Sequence, residues 1–231
     1  MSYAFDLPSP VSVPVVASAA RFPVHRIYCV GRNYAAHVRE MGGDPTREPP
    51  FFFLKPADAV VCPGGQTPYP RCSQNLHHEV ELVVALGRPA RCVTTREATD
   101  SIFGYAVGND LTRRDLQLEA REKGRPWDTG KAFDASAPIS ALHPVTSVGH
   151  LCRGSIWLTV NGEPRQQADL AQMIWSVPEI IAELSKFFDL VPGDLIFTGT
   201  PEGVGALQVG DVVEAGIDGL DQLRHRIEPP L

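Results

Sequence analysis

Proline and glycine together break this chain so often, at 21 and 20 of its 231 residues, that the apolar runs between them are of strand length. Proline removes a backbone donor and glycine adds conformational freedom, so each tends to end a regular element. The surviving runs, RIYCV, FFFL, VELVVAL, SIWLTV, LIFTG and DVVEA, are rich in β-branched and aromatic residues. In LTVNGEPR, Asn161-Gly162 follows an alternating run and suits a two-residue hairpin turn. A mainly β protein with few helices is predicted.

Three segments read as helices. Ser176 and Glu179 form an S-x-x-E capping box, and Ile180, Ile181, Leu184, Phe187 and Phe188 share a face, which predicts a helix from Val177 to Phe188 before Pro192-Gly193. A second is expected in NDLTRRDLQLEAREKG, with Thr112 and Asp115 in its first turn and Gly124 at its exit, and a third in NYAAHVREMGG. No repeat or break in composition divides the chain. One catalytic domain over residues 26–231, after a short N-terminal extension of residues 1–25, is expected.

Composition narrows the functional classes. A net charge of −6 offers no basic patch for nucleic acid and no polybasic membrane anchor. The N-terminus lacks a secretory pattern and no run reaches spanning length, so a cytoplasmic protein without membrane partners is expected. Five cysteines with no C-x-x-C pair read as reduced, mostly buried thiols.

The chemistry centres on HHEVELVVAL. If this is a strand, Glu79 and Glu81 point to one face and repel each other unless a cation lies between them; a solvent-facing edge strand is the plainer alternative. Asp110, closing an apolar run in GYAVGNDLTRRDLQ, adds a third carboxylate or merely caps a helix. With no cysteine or paired histidine nearby, an oxygen-only shell suits Mg²⁺ or Mn²⁺ better than Zn²⁺. His37 and Glu40 lie three apart on a predicted helix, where the carboxylate could fix the imidazole as a base for water, or the two could form an ordinary surface contact. Lys131 follows Gly130 in a loop of small residues and is either a site residue or a solvated one. FFFLKP ends a bulky apolar run in Lys55-Pro56, and the Thr198 to Pro201 stretch of IFTGTPEGVG offers hydroxyls and amides that could hold a carboxylate; either could be a simple turn.

CVGRNYAAHVREMG, FFFLKP, HHEVEL, GYAVGNDLTRRDLQ, GKAFDASAPIS, LTVNGE and FTGTPEGVG occur in the order and approximate spacing of one family. From Arg26 to Gly219 the chain resembles the fumarylacetoacetate hydrolase family, in its short acylpyruvase-like branch, with wording most similar to bacterial fumarylpyruvate hydrolases of gentisate degradation. The resemblance implies an α+β, mainly β fold, a mixed β-sandwich roll with flanking helices, and a homodimer. It also implies a Mg²⁺ or Mn²⁺ site that Ca²⁺ could occupy in crystals. Carried over motif by motif, the metal ligands fall on Glu79, Glu81 and Asp110, and the water-activating pair on His37 and Glu40. The active-site lysine falls on Lys131 and substrate contacts on Gln117, Thr200 and Arg32, the last facing the substrate's carboxylate. The activity implied is hydrolysis of a carbon–carbon bond in an acylpyruvate, fumarylpyruvate and water giving fumarate and pyruvate. Two alternatives share the scaffold: decarboxylation of oxaloacetate, or decarboxylation and isomerisation of a ring-cleavage diacid. A non-catalytic module that binds a dicarboxylate or metal is the alternative of another class.

Overall fold

The computed structural model describes residues 3–6 and 9–231. A six-stranded mixed sheet runs in the order His143–Pro144, Ile102–Asn109, Val80–Leu86, Leu195–Phe197, Ile27–Gly31 and Phe51–Lys55. Leu195–Phe197 pairs parallel to Ile27–Cys29, and the other ladders are antiparallel. A five-stranded sheet, in the order Glu163–Asp169, Ser155–Val160, Val212–Ile217, Leu223–Glu228 and Thr67–Pro68, packs against it. The fold is thus the mainly β, α+β sandwich roll that the motifs imply.

Alternation of side chains decides where the core lies. Val80, Leu82 and Val84 project toward Ile156, Leu158, Val213 and Ala215 of the five-stranded sheet, forming the main core. The opposite face of the same strand sends Val83 and Ala85 into a second cluster with Ile27, Cys29, Leu195 and Phe197. Val13 and Phe22, from the paired segments Ser12–Pro14 and Arg21–Pro23, join that second cluster together with the adjacent Val15. Each fully buried aliphatic side chain adds about 2 kcal/mol of transfer free energy. Val80–Leu86, buried at every position and flanked on both sides, is therefore an interior strand and not the solvent-facing edge weighed above.

Local chemistry accounts for most element boundaries. Asn161 and Gly162 take φ of 54° and 82°, the left-handed values that a tight hairpin demands between Ser155–Val160 and Glu163–Asp169. The helix that starts at Val177 carries its capping box as expected but ends at Leu184, short of Phe188. There the chain tightens into turns, Lys186 N–H reaching Glu183 and Phe187 N–H reaching Leu184, so that Leu190 can pair with Ala90. Phe187 is consequently 70% exposed, while Phe188 stacks 5.0 Å from Tyr28. The other two helices span Arg114–Glu122 and Ala35–Glu40, and Thr112 falls in a short strand before the former. Only Cys29 is buried; Cys72, Cys92 and Cys152 lie in exposed segments, which corrects the expectation of mostly buried thiols. Among the described residues, no helix is long and apolar enough to cross a membrane.

Candidate active site

The end of the six-stranded sheet at Val80 and Asn109 opens into a narrow cleft of about 40 Å³. Glu79, Glu81, Asp110, Lys131, His37, Arg32, Gln117 and Thr200 all line it, although they come from segments as far apart as residues 32 and 200. Glu40 stands behind His37, outside the lining.

Glu79 is not itself within a strand. It occupies the junction between Leu76–His78 and Val80–Leu86, where its N–H is taken by the Asn109 side chain at 2.8 Å and its C=O by Asp110 N–H at 2.8 Å. That double tie sets Glu79 and Asp110 side by side. Glu81 follows inside the strand, and one carboxylate oxygen from each of the three acids lies within 4.8 Å of the others. Asp110 does not cap the following helix, because that helix begins at Arg114 and Asp110's side chain is engaged elsewhere.

Three buried cations face the three buried acids. Lys131 Nζ donates to Glu79 at 2.8 Å and to Asp110 at 2.6 Å, and Lys55 Nζ lies 2.8 Å from the other Asp110 oxygen. Arg114 pairs with Glu79 and donates to Gln117 Oε1 at 2.7 Å. Lys131 is 2% exposed and ends a helical turn, Asp128–Lys131, so it is neither a loop residue nor a solvated one. Gly130 makes this possible: a Cβ there would meet the Gln117 backbone nitrogen at 2.8 Å, so only glycine lets the turn approach Arg114–Glu122.

Glu81 is different. Its carboxylate, 2% exposed, accepts from Gly199 N–H at 2.8 Å and has no ion-pair partner among the described residues. Burial, and then the charges of Asp110 and Glu79, push its pKa well above the ordinary carboxylate range. Burial acts the same way on Glu79, but Lys131 and Arg114 outweigh it and hold that carboxyl below the usual range. Lys131 keeps its proton because Asp110 and Glu79 overcome the opposing effect of burial. The donor set therefore fits a divalent cation: three buried carboxylates converge, and one of them lacks positive charge.

His37, 8% exposed, is held from behind. Its Nδ1 lies 2.9 Å from Glu40 Oε2, while Glu40 Oε1 accepts from Gly203 N–H at 2.9 Å. A carboxylate can only accept, so Nδ1 carries the proton and Nε2 is left free as a base. Thr200, 3% exposed, accepts from Gln166 Nε2 at 2.8 Å. Thr198 and Gly199 spend their donors on Leu82 C=O and on Glu81, so the loop after Leu195–Phe197 holds one of the protein's own carboxylates. Arg32 is exposed at the rim with φ of 61°.

Sequence reasoning missed Arg114, Asn109 and Gln166, and noted Lys55 only as the end of a bulky run. The signals for Lys55 and Arg114 were charges abutting apolar segments in FFFLKP and NDLTRRDLQ. Beside the cleft lies a larger cavity of about 360 Å³ walled by Phe51, Phe52, Leu54 and Phe188. Phe53, Trp127 and Lys131 line both spaces.

Known proteins of similar sequence share this fold. The family model for the fumarylacetoacetate (FAA) hydrolase C-terminal region matches residues 26–228. The structure superposes with a TM-score of 0.96 on fumarylpyruvate hydrolase from Pseudomonas aeruginosa in complex with Mn²⁺ and pyruvate, 53% identical over 99% of this chain and 100% of that one. The mitochondrial oxaloacetate tautomerase FAHD1 of Pongo abelii is 46% identical over 88% of this chain and 92% of its own length. Fumarylpyruvate hydrolase of a Ralstonia species is 44% identical over 80% and 96%.

Proposed function

Because this chain belongs to the fumarylacetoacetate hydrolase family, we propose that it is a metal-dependent hydrolase cleaving the carbon–carbon bond of an acylpyruvate, with fumarylpyruvate as substrate and fumarate and pyruvate as products. The observation that carries this reading is His37, facing the acidic cleft with its tautomer fixed by a Glu40 whose two oxygens are both engaged. A positioned base beside three converging carboxylates is of no use to a simple binding module.

Glu79, Glu81 and Asp110 would hold Mg²⁺ or Mn²⁺, and when bound the cation supplies Lewis-acid stabilisation of negative charge on the pyruvate half of the substrate. His37 Nε2 accepts a proton from water, and the hydroxide adds to the carbonyl carbon of the acyl group. Collapse of that adduct breaks the bond to the pyruvate methylene carbon. The bonding pair passes into the pyruvate half, the acyl half leaves as a carboxylic acid, and the proton held by His37 returns to that methylene carbon. Lys131 adds positive charge beside Glu79 and Asp110. Gln117 and Thr200 hold substrate oxygens, and Arg32 meets the substrate's carboxylate at the rim.

Tautomerisation or decarboxylation of oxaloacetate is the second reading, favoured by the 46% identity to a protein named an oxaloacetate tautomerase. A base at His37 would also serve to move a proton between carbon and oxygen, so the base alone does not separate the two. The 360 Å³ aromatic cavity that shares Phe53, Trp127 and Lys131 with the cleft supports an acyl tail longer than oxaloacetate carries. We propose further that the protein acts in the cytoplasm, as a homodimer, on gentisate ring-cleavage products.

The test is a panel of fumarylpyruvate, acetylpyruvate and oxaloacetate at equal enzyme concentration with Mn²⁺, following pyruvate release and keto–enol exchange. Fastest pyruvate release from fumarylpyruvate is expected. Faster reaction of oxaloacetate would overturn the substrate assignment, full activity after chelation the metal, and binding of all three without turnover the enzyme.

A further inference from the structure

Gln166 belongs to Glu163–Asp169, the edge strand of the five-stranded sheet, where it is the one fully buried residue, at 1% exposure. Its side chain crosses to the other sheet and ends beside the acids. Two backbone groups with fixed roles decide how its amide lies. Val80, the residue between Glu79 and Glu81, offers an N–H to the amide oxygen at 3.1 Å, and the Pro201 carbonyl, which can only accept, faces the amide nitrogen at 2.9 Å. His78 Nδ1, 2.9 Å from the same amide oxygen, must then be the protonated ring nitrogen.

The second amide hydrogen points to Thr200 Oγ1 at 2.8 Å. A hydroxyl that accepts from an amide keeps its own proton for another acceptor, and no acceptor for that proton is found among the described residues. Thr200 lines the cleft. We propose that Gln166 is a positioning residue: anchored by Val80 N–H and Pro201 C=O, it forces the Thr200 hydroxyl to act as a donor into the cleft, toward an anionic oxygen of the bound substrate. Were residue 166 an acceptor at this point, the Thr200 proton would turn inward and present lone pairs to the anion instead. The strand that carries Val80 thus ties the orientation of this donor to the backbone that spaces the two glutamates. The proposal rests on the acylpyruvate reading only for which anion is bound.

Oxalate, a dicarboxylate probe whose binding requires no turnover, separates the two. In calorimetry of Mn²⁺-loaded protein, Thr200→Val and Gln166→Met should each weaken oxalate about tenfold, the scale of one hydrogen bond to a charged group, with Mn²⁺ affinity unchanged. Thr200→Ser should restore the affinity. The double variant should be no weaker than Thr200→Val alone, because Gln166 acts through that hydroxyl. Losses that multiply to about a hundredfold in the double variant would overturn the relay and leave Gln166 a structural tie between sheets. Neutron diffraction on the unmodified protein decides the matter if Gln166→Met does not fold: a deuteron on Thr200 directed into the cleft supports the relay, and one directed at Gln166 overturns it. Absence of oxalate binding by the wild-type protein would count against the site reading, with the neutron result still judging the relay.

Discussion

Asp194 and Glu81 are both buried carboxylates, placed at opposite ends of the three-residue strand Leu195–Phe197, Glu81 through its bond to Gly199. Asp194 is saturated by its own chain: His25 Nδ1 at 2.8 Å, Arg26 at 3.0 and 3.1 Å, and Val191 N–H at 2.9 Å. Glu81 receives one backbone N–H and faces two other acids. The contrast separates two uses of a buried charge. A carboxylate whose lone pairs are all engaged fixes the junction of two segments, whereas one left short of positive charge reserves a place for something that arrives later.

Glu81→Gln tests the contrast most severely: Mn²⁺-dependent turnover should fall to background, yet the chelated variant should be more stable than chelated wild type at alkaline pH. Because Glu81's pKa is raised in the fold, the native state keeps a proton that the unfolded chain has released. The stability it contributes is present at low pH and is lost as pH rises from the ordinary carboxylate range through the raised value. Glu79, held low, is ionised in both states there and adds no slope. His77 and His225, lowered by burial to about 4, and His78, also lowered, act in the opposite sense but only below their ordinary 6.5. The difference between chelated wild type and variant, followed upward from about pH 7 where those histidines no longer contribute, therefore isolates Glu81 from the raised thiols of Cys29 and Cys62, which both proteins share. Parallel curves for chelated wild type and variant would show that Glu81 is ionised in the native state as in the unfolded chain, and would overturn the contrast.

His37→Ala should lower kcat on fumarylpyruvate about a hundredfold or more while Mn²⁺ affinity is retained; a loss within a few-fold would remove His37 as the base. Asp194→Asn should do the reverse, costing about 2 kcal/mol in urea denaturation, less than a fully buried pair because Arg26 and His25 keep contact with water. Its kcat per folded molecule should match wild type, and a drop would mean that the two ends of the strand are coupled. The smallest effect is expected of Trp127→Ala, which should raise KM for fumarylpyruvate about tenfold and leave oxaloacetate nearly unaffected. Equal effects on both substrates would detach the aromatic cavity from the acyl tail.

Local signals were legible wherever a residue's own backbone chemistry settles the matter. Asn161-Gly162 makes its turn by its positive φ values, and Ser176 with Glu179 caps its helix by bonds within one turn, both set by neighbours in sequence. The cleft residues were found by their motifs, but their electrostatic setting was not. Nothing in FFFLKP says that Lys55 reaches Asp110, or in NDLTRRDLQ that Arg114 reaches Glu79, because those pairings depend on how strands far apart in sequence align. Gln166 was invisible for a further reason. Its run, EPRQQAD, is otherwise exposed or half-buried, and an isolated buried amide on a polar strand leaves no periodic trace. The early end of the helix at Leu184 likewise follows from the pairing of Leu190 with Ala90, a tertiary demand that overrides a continuing apolar face.

The seating of Leu195–Phe197 between Ile27–Gly31 and Val80–Leu86 bears on how the chain is made. During synthesis the two neighbouring strand pairs emerge early, but the seam that joins them is translated only after most of the polypeptide has left the ribosome. Until then the nascent chain holds His37 in one half and its three carboxylates in the other, so the base and the acids meet only once the seam is in place. Proteolysis of stalled nascent chains should show both pairs gaining protection together, once residues 195–200 clear the exit tunnel; earlier protection of either pair would mean that the halves fold alone.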